Sequence, residues 1–169
     1  MFNSKIVATG SYLPKKVYDN NYLSTIVDTS DEWITERTGI KERHIVSDDE
    51  FTSDLAYNAC LDLLNSCNVD KNDIDAIIVA TTTPDRTLPS TAAIVQKKLG
   101  ITNNCFCFDI QAVCSGFVYA LSVADNFIKS GTIKNAIVIG AESMSKIVDW
   151  SDRNTCVLFG DGAGAVLLE

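Results

Sequence analysis

The sequence is short of several things, and each shortage excludes a class of function. It holds a single histidine, His44, in 169 residues. With one histidine and no C-x-x-C pair, the usual nitrogen and sulfur ligand sets for zinc cannot be assembled, so no metal site is expected. Basic residues are the minority: 14 Lys and Arg stand against 22 Asp and Glu, for a net charge of -8. A nucleic-acid partner needs a dense basic surface, so that class is set aside. No apolar run approaches the roughly 20 residues that cross a bilayer. The first ten residues, M-F-N-S-K-I-V-A-T-G, lack the long apolar stretch of a secretory leader. No membrane association and a cytoplasmic location are expected. Prolines number only three, and neither an internal repeat nor a low-complexity segment is visible.

What is present suits a folded domain. Hydrophobic residues make up 46% of the chain, too many for a disordered segment. The length is enough for one domain with a sizeable core. Six cysteines stand at 60, 67, 105, 107, 114 and 156. Their even number would suit disulfides in a secreted protein, but free thiols in a reducing cytoplasm are the better reading. Cys60 and Cys67 fall in a helical pattern, Cys105 and Cys107 in a strand pattern. All four read as core filler and not as ligands.

The order of apolar patterns gives the fold class. Lys5 to Thr9 is a short strand, followed by a loop to Asn21 and a short helix over Tyr22 to Val27. In Asp28 to Ile40, Thr29 and Glu32 have capping-box spacing and Gly39 marks the helix end. Phe51 to Cys67 is an amphipathic helix with Thr52 or Ser53 as its cap. Ile74 to Thr81 is a near-continuous apolar run, as in a strand covered on both faces. A helix capped by Ser90 and stopped by Gly100 follows, then a strand at Cys105 to Ile110. Another helix runs from near Ser115 to the Ser130-Gly131 stop, and Asn135 to Gly140 is a further buried strand. Alternating strand and helix imply a parallel sheet with right-handed crossovers. Ser143 to Asn154 is polar and loop-like. The closing T-C-V-L-F, G-D-G-A-G and A-V-L-L-E read as a β-hairpin around a glycine-rich turn. The glycine spacing superficially resembles a dinucleotide loop, but no helix follows it, so nucleotide binding there is discounted.

One stretch carries chemistry. F-C-F-D-I-Q-A-V-C-S-G, Phe106 to Gly116, places Cys114 at a strand-to-helix turn. Free N–H groups and the positive end of the helix dipole favour a thiolate there, and can hold an oxyanion formed when it attacks a carbonyl. A buried structural cysteine is the other reading. Trp33, among Asp31, Glu32, Glu36 and Arg37, is either a half-buried anchor or a platform for a flat ligand. Arg37 suits a phosphate group, a contact with Trp33, or a salt bridge to a nearby glutamate. His44 reads as a hydrogen-bonded structural residue.

The motifs T-G-S-Y-L-P (9–14), D-T-S-D-E-W-I-T-E-R-T-G-I-K-E-R (28–43) and V-A-T-T-T-P-D (79–85) occur in that order. They continue with F-D-I-Q-A-V-C-S-G-F (108–117), A-L-S-V-A-D (120–125) and F-G-D-G-A-G-A (159–165). Together they resemble the N-terminal half of β-ketoacyl-acyl-carrier-protein synthase III, in the thiolase superfamily. The resemblance implies an α/β half-fold, a mixed and mostly parallel sheet flanked by helices, one of two pseudo-repeats. Residues 1–169 would form one N-terminal domain, with the family's C-terminal half absent. It implies that Cys114 takes an acyl group from acyl-CoA, which then condenses with malonyl-acyl-carrier protein as CO2 is lost. Trp33 and Arg153 match the pair that sandwiches the CoA adenine; Thr29 and Arg37 match other CoA-contacting positions. Leu88 matches a position that closes the acyl pocket across the family's dimer interface. CoA thioester is then a substrate and no cofactor is needed. The family's carbanion-stabilising histidine and asparagine lie in its second half and are not assigned here. The family's complete fold buries the Cys114 helix between two sheets. Another thiolase-superfamily condensing enzyme and a non-catalytic half-domain packing on a partner are the alternatives.

Overall fold

The computed structural model describes residues 3–169. Met1 and Phe2, part of the segment read for a leader, lie outside the described residues. The first third builds β1 (Ile6–Tyr12), β2 (Lys16–Asp19), α1 (Asn20–Ser24), α2 (Asp31–Thr38), β3 (Glu42–Ile45) and α3 (Thr52–Asn65). The alternating part follows as β4 (Ala76–Ala80), α4 (Thr91–Leu99), β5 (Phe106–Ile110), α5 (Gly116–Lys129), β6 (Ala136–Ser143) and β7 (Asp161–Leu168).

Five strands make one mixed sheet in the order β1-β7-β6-β4-β5, while β2 and β3 form a separate antiparallel ribbon. β4 pairs in parallel with both β5 and β6, as the helical crossovers require. β7 runs antiparallel to both β6 and β1. Every residue of β4 is buried, which explains its unbroken apolar run. Ala59, Leu63 and Val95 of α3 and α4 cover one face against Ile77, Val79, Ile137 and Ile139. Ala120, Ala124 and Ile128 of α5 cover the other against Ile78 and Val138. The two alanines let α5 lie close to the sheet. On its outer side α5 carries Val118 and Tyr119, 62% and 55% exposed. Gly10 allows the closest approach of helix to sheet: a Cβ there would stand 2.3 Å from the Leu63 backbone nitrogen.

Several expectations are corrected. The closing segment is not a hairpin. β7 alone is a strand, running through Gly162 and Gly164 and paired on both sides, so the glycines are strand residues and not a turn. The loop read to Asn21 contains β2, whose four residues, K-V-Y-D, are too few to show an alternating pattern. Ser30, not Thr29, caps α2, its Oγ accepting the Trp33 N–H at 3.1 Å. At α3 the cap position is Phe51, and the Asp54 carboxylate accepts the Phe51 N–H at 2.9 Å. The Thr52 hydroxyl instead bonds Ser143 at 2.7 Å. Ser90 does cap α4, accepting from Ala93. A lone 3-10 turn, Met144–Lys146, lies in the polar stretch after β6.

Candidate active site

The site grows out of the end of β5. Its last pairing with β4 is Ala80 to Ile110, and the Ile110 carbonyl goes on to accept the Thr81 N–H at 3.2 Å. The chain then turns through a 3-10 segment, Val113–Ser115, before α5 begins. Val113 has φ 46. A β-branched residue in the left-handed region is strained, and such strain is held where surrounding structure over-determines it. Gly116 seats the helix start against the sheet, since a Cβ there would meet the Ala80 Cβ at 3.3 Å. Ser115 makes no side-chain cap.

This turn pushes Cys114 outward. Cys114 is exposed, whereas Cys60 and Cys156 are buried and Cys67, Cys105 and Cys107 half-buried. Burial pushes the Cys60 thiol up to about 12 and raises that of Cys156, so both stay protonated and inert. The reading of Cys114 as a buried structural cysteine is therefore excluded within this chain. Cys114 opens onto a groove of about 270 Å³, lined also by Phe117, Gly140, Glu142, Gly160 and Gly162. The glycine-rich stretch gives that groove a wall without side chains. Cβ atoms at Gly160 and Gly162 would meet the side chains of Arg43 at 3.0 Å and Leu13 at 2.9 Å.

Glu142 was not singled out from the sequence. Its carboxylate accepts the Thr82 N–H at 2.8 Å, the Thr82 hydroxyl at 3.0 Å and the Thr83 hydroxyl at 2.6 Å. The T-T-T run after β4 was the only available signal, and its partner stands on a different strand. The network ties the exits of β4 and β6 together beside Cys114.

A second cluster forms around Trp33. The half-buried indole packs on the cluster of Leu23, Ile34, Cys156 and Val157. Two guanidiniums lie over it: that of Arg37 at 4.5 Å from the ring centroid and that of Arg153 at 4.9 Å. Arg153 also donates to the Asp28 carbonyl at 2.8 Å, and Arg37 stands 3.8 Å from Glu36. Of the expected contacts for Arg37, the stack on Trp33 and the glutamate pair are both present. Thr29, beside Asp28, has a buried hydroxyl with no hydrogen-bond partner. Arg153 sits directly on the indole, so a flat base between the two requires this side chain to swing away. Leu88 is 82% exposed and does not line the Cys114 groove. His44 bonds the Pro14 carbonyl through Nδ1, a structural contact. Among the described residues, no three His, Cys, Asp or Glu side chains converge on one point, and no helix is long and apolar enough to cross a membrane.

Comparison with known proteins places this geometry. Residues 108–169 match the family model for 3-oxoacyl-[acyl-carrier-protein] synthase III. The chain is 65% identical over 168 residues to the β-ketoacyl-[acyl-carrier-protein] synthase III of Ehrlichia canis, covering 99% of this chain and 52% of the relative. It is 63% identical over 165 residues to the protein of the same name from Neisseria meningitidis serogroup B, covering 98% of this chain and 52% of that one. The crystal structure of the 3-oxoacyl-[acyl-carrier-protein] synthase III of Aquifex aeolicus superimposes with a TM-score of 0.94 at 55% identity, covering 98% of this chain and 53% of that one. The chain thus spans about half the length of the curated relatives it matches.

Proposed function

Because the chain belongs to the β-ketoacyl-acyl-carrier-protein synthase III family, we propose that it is the acyl-accepting half of an acyltransferase that starts fatty acid synthesis. The observation that carries this reading is Cys114. It is the one exposed thiol of six, lifted by a strained turn to the start of α5.

The first step is acyl transfer. The Cys114 thiolate adds to the thioester carbonyl of an acyl-CoA, and the N–H groups at the start of α5 hold the resulting oxyanion. The carbon–sulfur bond to CoA then breaks, CoA leaves as its thiol, and the acyl group stays on Cys114. In the second step malonyl-acyl-carrier protein loses CO2. The electron pair released forms a carbon–carbon bond to the acyl carbonyl and expels the Cys114 thiolate, giving 3-oxoacyl-acyl-carrier protein. The groups that stabilise that carbanion belong, by the family resemblance, to a second half not contained in these 169 residues.

Binding of the CoA portion falls to the Trp33 cluster. An indole face and a guanidinium plane are suited to a flat base, so Arg153 moves off Trp33 as the adenine enters. Arg37 takes a phosphate, and the unpartnered Thr29 hydroxyl gains a partner. Leu88, exposed in this chain, closes the acyl pocket of a second subunit in a homodimer. A leucine there suits acetyl and slightly longer acyl groups. Nothing in this chemistry calls for a cofactor beyond the CoA thioester itself. Six free thiols suit the cytoplasm.

The test is single-turnover release of CoA from acetyl-CoA, followed with a thiol reagent after rapid quenching. The reading expects one equivalent per active chain from the wild type and none from Cys114→Ser. Release unchanged in Cys114→Ser would sink it.

A further inference from the structure

Two strands flank β4 in the sheet, β6 on one side and β5 on the other. Each sends a carboxylate to one end of the same connection, the segment that leads from β4 to α4. Glu142 lies two residues beyond the last pair of β6 with β4, Gly140 with Ala80, and holds the near end. It accepts the Thr82 N–H at 2.8 Å and the Thr83 hydroxyl at 2.6 Å. The Thr83 hydroxyl oxygen accepts the Ser143 N–H at 2.9 Å, and Asp85 accepts the Ser53 N–H at 2.9 Å. Asp109, on β5 opposite Val79, holds the far end. Its two oxygens accept the Thr91 N–H at 2.7 Å and the Ala92 N–H at 2.8 Å, donors that the first turn of a helix otherwise leaves free. Ser90 takes a third, from Ala93 at 3.2 Å.

Between these ends Arg86, Thr87, Leu88 and Pro89 are exposed, Leu88 at 82%. Hydrogen bonds to a carboxylate are stronger than those between neutral groups, so both feet of a short arm are pinned while its tip stands free. A tip held in one place can measure the length of a chain that meets it; a tip that wanders cannot. We propose that Asp109 and Glu142 are positioning residues that fix the 84–90 arm and, through Leu88, set which acyl lengths the enzyme accepts. This rests on the reading of Leu88 as the closure of the acyl pocket.

Hydrogen–deuterium exchange needs no catalysis and reads the arm directly. It is followed in peptides covering 84–90 in wild type, Asp109→Ala, Asp109→Asn and Glu142→Ala, at labelling times at which β4 stays protected. Loss of a charged acceptor should speed exchange of the arm at least about tenfold in both alanine variants. Asp109→Asn, which keeps one acceptor oxygen, should fall in between. Arm protection equal to that of wild type, or lost only together with that of β4, would overturn the proposal. Selectivity is the second readout, as kcat/KM for CoA release from acetyl-CoA over that from hexanoyl-CoA. Apolar pockets discriminate by about 10- to 200-fold per methylene, and the ratio should move at least about fivefold in Asp109→Ala and Glu142→Ala, with partial recovery in Asp109→Asn. A ratio moved by Leu88→Ala but by neither carboxylate variant would overturn the proposal and leave the role of Leu88 standing. A ratio that Leu88→Ala does not move would overturn that role, and the proposal with it.

Discussion

Cys114 and Cys60 carry the same thiol and differ in everything around it. One stands exposed at the mouth of a helix, the other is sealed in the core with its proton held up to about 12. Peptide-mapped alkylation of the native protein should therefore label Cys114 first and leave Cys60 and Cys156 unlabelled until the protein unfolds. Early labelling of Cys60 would contradict the packing described. The Trp33 cluster gives a prediction about binding. Loss of a ring that stacks on a base and a guanidinium removes roughly 1–2 kcal/mol, so Trp33→Ala should raise KM for acetyl-CoA about 5- to 30-fold. KM for acetyl-pantetheine, which lacks the adenine, should not move. Equal effects on both thioesters would assign Trp33 a purely structural role. Some of this was legible in the sequence and some was not. The i,i+4 spacing of Trp33 and Arg37 gives their contact directly, while Arg153 was reached only through family resemblance. The Glu142 network was hidden because its threonines follow β4 while the carboxylate stands on β6, some 60 residues on. The strain at Val113 was hidden as well, because valine is the wrong residue from which to expect a positive φ.

The elements were legible where burial is two-sided. β4 and β6 are unbroken apolar runs because helices cover both their faces, and α3 and α5 show stripes because only one side is covered. β7 was misread for a physical reason: Gly162 and Gly164 carry no side chain and so erase the alternation that marks a strand. Close packing explains some of the chain's glycines and not others. A methyl group at Gly10 would collide with the backbone of α3, whereas one at Gly164 meets nothing within 4 Å. Gly10→Ala should thus destabilise the fold by about 1–3 kcal/mol, and Gly164→Ala should be close to neutral. Urea unfolding of the two variants checks this; equal midpoints would show that α3 does not press on β1. The Glu142 carboxylate binds the ends of β4 and β6. Glu142→Ala leaves the Thr82 N–H and hydroxyl without their acceptor and should cost about 2 kcal/mol. Glu142→Gln, which keeps an acceptor, should recover part of the loss in the same assay.

At the scale of the whole molecule, the outer side of α5 is the feature that remains without a partner. Val118 and Tyr119 on α5 are 62% and 55% exposed, and Val113, in the turn that carries Cys114 just before it, is 72% exposed. The chain matches 52% of the length of its relative from Ehrlichia canis, and the superfamily resemblance implies a second half against that helix. An exposed apolar patch drives association. Sedimentation velocity should show these 169 residues self-associating, and Val118→Lys with Tyr119→Lys should shift the population toward monomer. A well-folded wild-type monomer would contradict the patch argument. The central claim, however, concerns Cys114, and the most direct measurement is intact-mass spectrometry after incubation with acetyl-CoA. Wild type is expected to gain the mass of one acetyl group, mapped to the peptide containing Cys114, and Cys114→Ser to gain none. An acetyl group found on another residue, or gained equally by both proteins, would contradict the account.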